Sequence, residues 1–384
     1  TRMMRRPTTS SCRCVSTDPV RVEHLAIEGF RNLSGVDVAL GQRFVLIHGD
    51  NAQGKTNLVG AVYLLSTLKP LRGHRTRDLV GWEADVAQAA ASVSHDGLTR
   101  RYRIDLTTKG RQVQLDGSPV RDLEPYFRGI RAVAFTPSDA RIVMAEPKLR
   151  RAWVDRAAFT ARPSHLYAVR RYSRLLDQKS AALRQNARGA VLDVFDEQLA
   201  QAGADVITRR LDILDDLRQP VAHVHTRITG LPEQFRLTYR SHTEGDDVTE
   251  RAASLRSQLH DAREDEVRRQ RTLVGPQLDD VRFELDSHAA RGFASQGQVR
   301  SIVLSLKLGE LLAAHERGDQ PLFLFDDVSS ELDATRTGRL VELLSQVDAQ
   351  VFATTTDPSQ LDSLPADETV RLHVERGHVT VQGT

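Results

Sequence analysis

Cysteine is almost missing. Cys12 and Cys14 are the only two in 384 residues, so neither a disulfide framework nor a cysteine metal cluster can organise the body of the protein. A lone C-x-C is too sparse for a metal site, and a cysteine-free body fits a reducing cytoplasm. Aromatic residues make up 5%. That leaves no platform of rings for stacking bases, and no helix-turn-helix or zinc-finger pattern stands in for one, so sequence-specific reading of nucleic acid is not expected. No apolar run approaches the ~20 residues that span a bilayer, and no membrane partner is expected. An excess of one charge is missing too: 53 Lys and Arg face 51 Asp and Glu, for a net +2. The total neither supports nor excludes nucleic acid, so local patches decide. The opening "TRMMRRPTTSSCRCVSTDP" has a basic start with no apolar stretch behind it. A secretory signal is not expected, and residues 1–19 read as a disordered tail.

What is present is a strand-rich start. Val20 to Glu28 and Gly35 to Leu40 alternate like strands, and Arg43 to Gly49 is a continuous apolar run typical of a strand buried on both faces. A helix follows from Lys55, with Leu58, Val62 and Leu65 on one face. Between Asp85 and Val120, alternating runs meet at "HDG" and "LDGSP", which read as β-turns. From about Lys148 to Thr229 the apolar spacing is helical. "QFRLTYR" interrupts as a strand, "ERAASLRSQLHDAREDEVRRQRT" reads as helical and heavily charged, and strands resume after Gly275 with "VRFEL", "PLFLFDD" and "AQVFATTTD". The expected organisation is an α/β domain in two pieces, residues 20–147 and 276–384, around an inserted, mainly helical domain at 148–275.

"GDNAQGKT", Gly49 to Thr56, fits G-x-x-x-x-G-K-[ST] between a buried strand and a helix. Gly49 and Gly54 let the backbone curl so that the amides of Asp50, Asn51, Ala52 and Gln53 can face an anion. Lys55 can reach β- and γ-phosphates, and the Thr56 hydroxyl can ligate Mg²⁺. Asn57 continues the helix start. ATP with Mg²⁺ is therefore the expected cofactor pair.

Four apolar residues, Leu322 to Phe325, end in Asp326 and Asp327. An aspartate at the tip of a buried parallel strand is placed to hold Mg²⁺ beside a phosphate loop on a neighbouring strand. Asp326 takes that role here, and Asp327 could orient or deprotonate an attacking water. Two adjacent aspartates commonly cap a helix, and only the phosphate loop elsewhere in the chain favours the metal.

"ASQGQVRSIVLSLKLGE" carries a third feature. Ser295 stands where an N-cap should, and Val299, Ile302, Leu306 and Leu308 mark a buried face. The first turn, Gln296, Gly297 and Gln298, holds no acid, so the helix start could receive an anion.

In this order, phosphate loop, Ser-Gln-Gly-Gln helix start and acidic strand with "SSELD" resemble the ABC-type ATPases. Within them the chain resembles the RecF family, SMC-like ATPases of bacterial DNA replication and repair. The resemblance runs from "IEGFRNL" at Ile27 to "VFATTTD" at Asp357 and includes "AFTPSDARIV" and "GPQLDDVRFEL". It implies an ABC-type ATPase head with a parallel or mixed sheet and an inserted helical arm. It also implies a slow, DNA-stimulated ATPase whose ATP-dependent homodimer seats each partner's γ-phosphate on Ser295 to Gln298. A D-loop resembles Ser329 to Asp333. Further implied are binding of gapped DNA at single-strand–duplex junctions, and RecO and RecR as partners in RecA loading. Two departures stand out. Many ABC-type ATPases carry glutamate at the position of Asp327, and their switch histidine is replaced by Thr356, which can donate a hydrogen bond to phosphate but carries no charge. Ser138 and Asp139 occupy the region of a switch glutamine.

For DNA, the acid-free stretch with Arg72, Arg75 and Arg77 is the expected phosphate-backbone contact. Other basic clusters, among them Arg170, Arg171 and Arg174, are interspersed with acids and read as solvated helix faces. Other readings are an SMC-like ATPase of another DNA-maintenance pathway, a transporter ATPase subunit, and an SMC-related nuclease. The long charged insertion argues against the transporter. The nuclease needs a second, acidic metal-binding domain, for which the residues after Asp357 supply no pattern.

Overall fold

The computed structural model describes residues 19–72 and 75–382. Apart from Pro19, the expected tail over residues 1–19 lies outside the described residues, as do both cysteines. The chain begins with β1 (Arg21–Glu28), β2 (Val36–Ala39), β3 (Phe44–His48) and α1 (Lys55–Thr67). A meander follows: β4 (Val86–His95), β5 (Leu98–Thr107), β6 (Gly110–Leu115) and β7 (Ser118–Pro119). Then come α2 (Leu123–Gly129), β8 (Ala132–Phe135), α3 (Ala140–Met144), α4 (Pro147–Ala161), α5 (His165–Arg184) and α6 (Ala190–Thr229). β9 (Phe235–Arg240), α7 (Val248–Asp261) and α8 (Arg263–Arg269) precede β10 (Asp280–Leu285), β11 (His288–Ala289) and α9 (Ala290–Phe293). The last elements are α10 (Gln296–Glu316), β12 (Leu322–Phe325), α11 (Val328–Glu331), α12 (Ala334–Ser345), β13 (Val351–Thr355), β14 (Thr369–Glu375) and β15 (His378–Gln382).

Two six-stranded sheets carry the body. One, ordered β2-β1-β4-β5-β6-β7, is antiparallel. Its strands β4 and β5 alternate buried and exposed, one face on the core and one in water. The other is ordered β15-β14-β3-β13-β12-β8, parallel except for the edge strand β15. Its strands "AVAF" and "LFLF" are buried at every residue, as continuous apolar runs require when helices cover both faces.

α1 runs between the two sheets, touching β4 and β5 on one side and β8 and β13 on the other. It therefore buries Val59, Ala61, Tyr63 and Leu64 as well as the expected Leu58, Val62 and Leu65. The face read from the sequence is buried, and from Ala61 to Thr67 so are all the remaining residues, because two sheets and not one cover this part of the helix.

The helical block is an insertion in sequence, but its near half has no core of its own. Trp153 and Val154 of α4 and Leu217 and Val221 of α6 pack into one cluster with Phe44 of β3 and Phe323 of β12. β9, inside the block, pairs with β10, beyond it, from Arg240↔Asp280 to Phe235↔Leu285. A separate core appears only distally, with Tyr172, Leu199, Ile207, Leu255 and Leu259. There Lys179 is buried between Asp196 and Glu266, 2.5 Å from each, which ties α5, α6 and α8 together. The charged stretch before Gly275 is helical, as expected, and forms two helices, α7 and α8, with Ala262 at the junction.

Candidate functional site

The phosphate loop follows β3 and opens α1. Gly49 has φ 144°, and a Cβ there would stand 2.3 Å from the Val374 carbonyl oxygen of β14. Only glycine lets the strand turn so close to its neighbour. Asn51, Ala52, Gly54, Lys55, Thr56 and Asn57 line a cleft of about 380 Å³, within the ~300–1,000 Å³ range of small-ligand sites. Lys55 donates to the carbonyl oxygens of Gly49 (2.6 Å) and Asp50 (2.7 Å). Burial pushes its ammonium below the ordinary lysine value, while Asp327, Asp326 and Asp50 pull it back up. α1 has no acid of its own in its first turn, so the positive end of its dipole is left to face an anion or the carboxylates across the cleft.

Asp326 directly follows β12 and is fully buried. Its Oδ1 accepts from the hydroxyls of Thr56 (2.8 Å) and Thr354 (3.0 Å), and its Oδ2 from Arg72 (2.6 Å). The strand carrying Asp326 is not the neighbour of the phosphate-loop strand, as read from the sequence. β13 lies between them and fills the gap with Thr354.

Asp327 sits in the left-handed region, at φ 66° and ψ 63°. A non-glycine residue held there costs about 1 kcal/mol or more and persists only where its surroundings fix it. Here they do: its amide donates to Thr354 Oγ1 at 2.7 Å, and Ser329 Oγ donates to its Oδ1 at 3.3 Å. Ser329 Oγ is also 3.0 Å from Thr356 Oγ1. Asp327, Ser329 and Thr356 thus form one chain of contacts, with Asp327 lining the cleft and Thr356 outside it.

Ser295 caps α10. Its hydroxyl accepts from the Gln298 amide (3.2 Å), and Gln298 Oε1 accepts from the Ser295 amide (2.9 Å). This capping box leaves the amides of Gln296 and Gly297 without such a side-chain acceptor. Gln298 Nε2 donates to Glu233 at 3.0 Å, which anchors the turn to the loop before β9. The four buried-face residues read from the sequence are buried, and so are Val303, Leu304 and Leu311, because α10 packs on α6, α3 and β8 together. Asp333 caps α12, accepting from the Arg336 amide at 2.9 Å. Arg300 Nε of α10 lies 3.4 Å from Glu331 Oε2, so the helix start and the D-loop segment meet within one chain. None of Ser295 to Gln298 lines the phosphate-loop cleft.

The three arginines expected at DNA do not share one environment. Arg72 is 44% exposed and paired with Asp326 inside the cleft. Arg77 is 3.7 Å from Asp78 and exposed. Arg75 is exposed, with its backbone amide on Asp78 (2.9 Å). Asp139 accepts from the Thr136 amide (2.8 Å), which commits it to a local turn.

Sequence reasoning missed the supports of the loop. Asn32 reaches the carbonyls of Ala52 (3.4 Å) and Gln53 (3.3 Å), and accepts from Asn57 at 2.7 Å. From the other side the β14–β15 turn donates two amides to Gln53, Arg376 to Oε1 (2.6 Å) and Gly377 to the carbonyl (2.9 Å). A Cβ at Gly377 would lie 1.9 Å from the Asn32 carbonyl oxygen. "IEGFRNL" was part of the recognised pattern, but nothing local in it marks Asn32. The Gly377 contact is purely tertiary.

Residues 21–380 match the model of the RecF/RecN/SMC N terminal domain. The DNA replication and repair protein RecF of Geobacter metallireducens is 37% identical over 362 residues, covering 94% of this chain and 99% of that one. The RecF of Myxococcus xanthus is 38% identical, with 94% and 98% covered. A solved structure of the recombination mediator protein RecF with ATPrS, in the RecFOR pathway, superposes at TM-score 0.86 with 25% identity, covering 96% of this chain and 100% of that one. An SMC head bound to the C-winged helix domain of ScpA shares the fold at TM-score 0.55 and 14% identity, with 94% and 96% covered. The α/β ATPase-head fold expected from the sequence is the fold these proteins share.

Proposed function

This chain belongs to the RecF/RecN/SMC N-terminal domain family, and within it to the RecF group, and we propose that it is an ATP-gated DNA-binding protein of recombinational repair and replication. The observation that carries this reading is the convergence of Lys55, Thr56, Asp326 and Asp327 on one cleft, with Thr56 and Asp326 in contact at 2.8 Å.

The donor set suits Mg²⁺. A hydroxyl and a carboxylate are hard oxygen ligands. Among the described residues no group of three or more His, Cys, Asp or Glu could hold an ion unaided. A site with one carboxylate, one hydroxyl and substrate phosphates is the way Mg²⁺ is commonly bound. When bound, Mg²⁺ would supply charge neutralisation to the phosphates. Lys55 leaves the loop carbonyls to meet the β- and γ-phosphates, and the amides of residues 50–55 cradle them. Asp327, steadied by Ser329, accepts the proton of the attacking water. Thr356, outside the cleft and joined to Asp327 through Ser329, reaches the γ-phosphate only if the loop closes, and then gives a hydrogen bond but no positive charge.

Ser295 to Gln298 act on the partner's nucleotide. Two copies close head to head around two ATP molecules in an isologous pair, with Asp333 of the D-loop at the seam. Arg75 and Arg77 contact DNA phosphates, so affinity falls steeply with salt. The DNA is gapped, with single-strand–duplex junctions. RecO and RecR join the clamp there to load RecA, and DNA stimulates hydrolysis. This work belongs in the cytoplasm; among the described residues no helix is long and apolar enough to cross a membrane.

Mass measurement of the full chain, with and without ATP and gapped DNA, tests the proposal. A monomer that doubles with ATP and then retains gapped DNA is the expected result. A mass and a DNA affinity indifferent to ATP would sink it.

A further inference from the structure

A second cavity, of about 250 Å³, opens at the other end of α1 from the phosphate loop, among α1, α2, α4, α5 and β6. Its walls are apolar. Phe127 and Phe159 meet edge to face at 4.7 Å, and Leu123 and Leu166 stand beside them. Four cations also line it: Lys69, Arg111, Arg156 and Arg170. The carboxylate in the lining, Asp155, is already committed to His165 (3.0 Å) and Arg210 (2.8 Å). Arg111 donates to the Leu68 carbonyl, and Arg156 lies over the Tyr63 ring at 5.5 Å. No ion pair joins any of the four cations to a carboxylate among the described residues. Two of them are crowded: burial and then Arg156 and Arg170 push Lys69 below its ordinary value, and burial and then Arg170 do the same to Arg111. Arg156 is shifted up instead, chiefly by Tyr63, with Asp139 and Glu310 adding.

Two residues of the same lining also carry a deep polar atom without a hydrogen-bond partner. Tyr63 is fully buried and His165 is 1% exposed, yet the Tyr63 hydroxyl and His165 Nδ1 make no hydrogen bond among the described residues. Buried polar atoms are nearly always paired, so an occupant that reaches between these two side chains would satisfy both.

We propose that this cavity is a second ligand site, for a small phosphorylated molecule with a planar polar-edged body, the nucleoside-monophosphate class. Its phosphoryl oxygens accept from Lys69, Arg111 and Arg170. Its ring lies against Phe127 and Phe159 and offers its polar edge to Tyr63 and His165. A duplex is too rigid and wide to enter such a cavity. An acidic side chain would leave the aromatic walls bare, and an apolar one would leave the orphan atoms unpaired. The occupant would touch Tyr63, Thr67 and Leu68, in the last turns of the helix whose first turn holds the phosphate loop.

Isothermal titration of the full chain with AMP, and separately with inorganic phosphate, tests this. Lys69 and Arg170 are exposed at the rim, so the double variant Lys69→Ala with Arg170→Ala should fold. Its AMP affinity should fall at least tenfold, about 1.4 kcal/mol, with MgATP binding unchanged. Tyr63→Phe should weaken AMP too, while leaving stability equal or higher, since it removes an unpaired buried hydroxyl. Lys55→Ala should leave AMP binding intact. The proposal fails if AMP gives no binding, if phosphate alone binds as tightly as AMP, or if Lys55→Ala and not the rim variant removes AMP. It fails equally if the rim variant loses duplex DNA or an Asp- and Glu-rich peptide but keeps AMP. These failures would leave the ATP-gated reading of the phosphate loop untouched.

Discussion

Thr56 and Asp326 are 270 residues apart in sequence, and their side chains meet at 2.8 Å. The contact joins the first turn of α1 to the tip of β12 across the width of β13. It leaves Oδ2 of the fully buried Asp326 to Arg72, at 2.6 Å. The carboxylate proposed for Mg²⁺ is therefore already neutralised by a side chain that is itself 44% exposed and free to leave.

Arg72→Ala should accordingly have two opposite effects. The nucleotide-free protein should lose roughly 1–2 kcal/mol, less than the 3–5 typical of breaking a buried pair, because Arg72 is half in solvent. MgATP should bind several-fold tighter, since no guanidinium competes for Asp326. Thermal melts and a nucleotide titration check both. Weaker MgATP binding at unchanged stability would make Arg72 a phosphate contact and not a lock on Asp326.

Asp327→Asn keeps the shape and removes the proposed base. Asparagine tolerates the left-handed backbone better than most residues, so φ 66° should survive. ATP binding and ATP-driven dimerisation should persist while turnover falls by about 10²–10⁴. Single-turnover hydrolysis and mass measurement read the two properties separately. Turnover at the wild-type rate would move the base elsewhere.

The sequence made the local parts of this site legible. The run Phe44–His48, the loop to Thr56 and the strand ending in Asp326 announce themselves by apolar runs, glycines and charge. Long-range consequences were not legible. Nothing in the order of the segments says that β13 intervenes between β3 and β12, or that Thr354 therefore lies beside Asp326. Arg72 reads as a DNA contact in an acid-free stretch because its carboxylate comes 254 positions later. The block from 148 to 275 looked separate because helical periodicity reports a helix's buried stripe and not what that stripe packs against. Gly309 of α10 shows the point: a Cβ there would stand 2.4 Å from Val221 Cγ2 and 2.9 Å from its Cα, so α10 has room for α6 only where it carries no side chain.

Asp155 predicts an acid limit to stability. Burial by itself would raise its carboxyl, but hydrogen bonds from His165 and Arg210 hold it at about 2. A carboxyl lowered on folding stabilises above its unfolded value, near 4, and that stability drains away as pH falls from about 4 toward 2. The amount is roughly 2 kcal/mol. Asp155→Asn should start less stable at neutral pH, because Arg210 loses its buried partner, and should lose less on acidification. Melting temperatures across this window decide the matter. Parallel curves for the two proteins would remove Asp155 from the account.

The last prediction concerns the start of α10. Ser295→Arg should leave ATP binding by the monomer intact, since none of residues 295–298 lines the phosphate-loop cleft. The lost cap should cost about 1 kcal/mol, too little to unfold the head. ATP-driven dimerisation should nevertheless stop, because a long side chain fills the seat for the partner's γ-phosphate. Lys55→Ala should be inactive for the opposite reason, having an intact helix start and a defective loop. Mixed together, the two inactive proteins can form a dimer with one composite site built from an intact loop and an intact Ser295, facing a site defective on both sides. If one good site suffices, activity returns, to at most about a quarter of wild-type sites under random pairing. Recovery on mixing would establish that the helix start works in trans. The deciding result comes from Ser295→Arg alone, read by mass and by phosphate release. If it dimerises with ATP and hydrolyses at the wild-type rate, Ser295 to Gln298 only cap a helix, and the two-copy ATP clamp loses its seam.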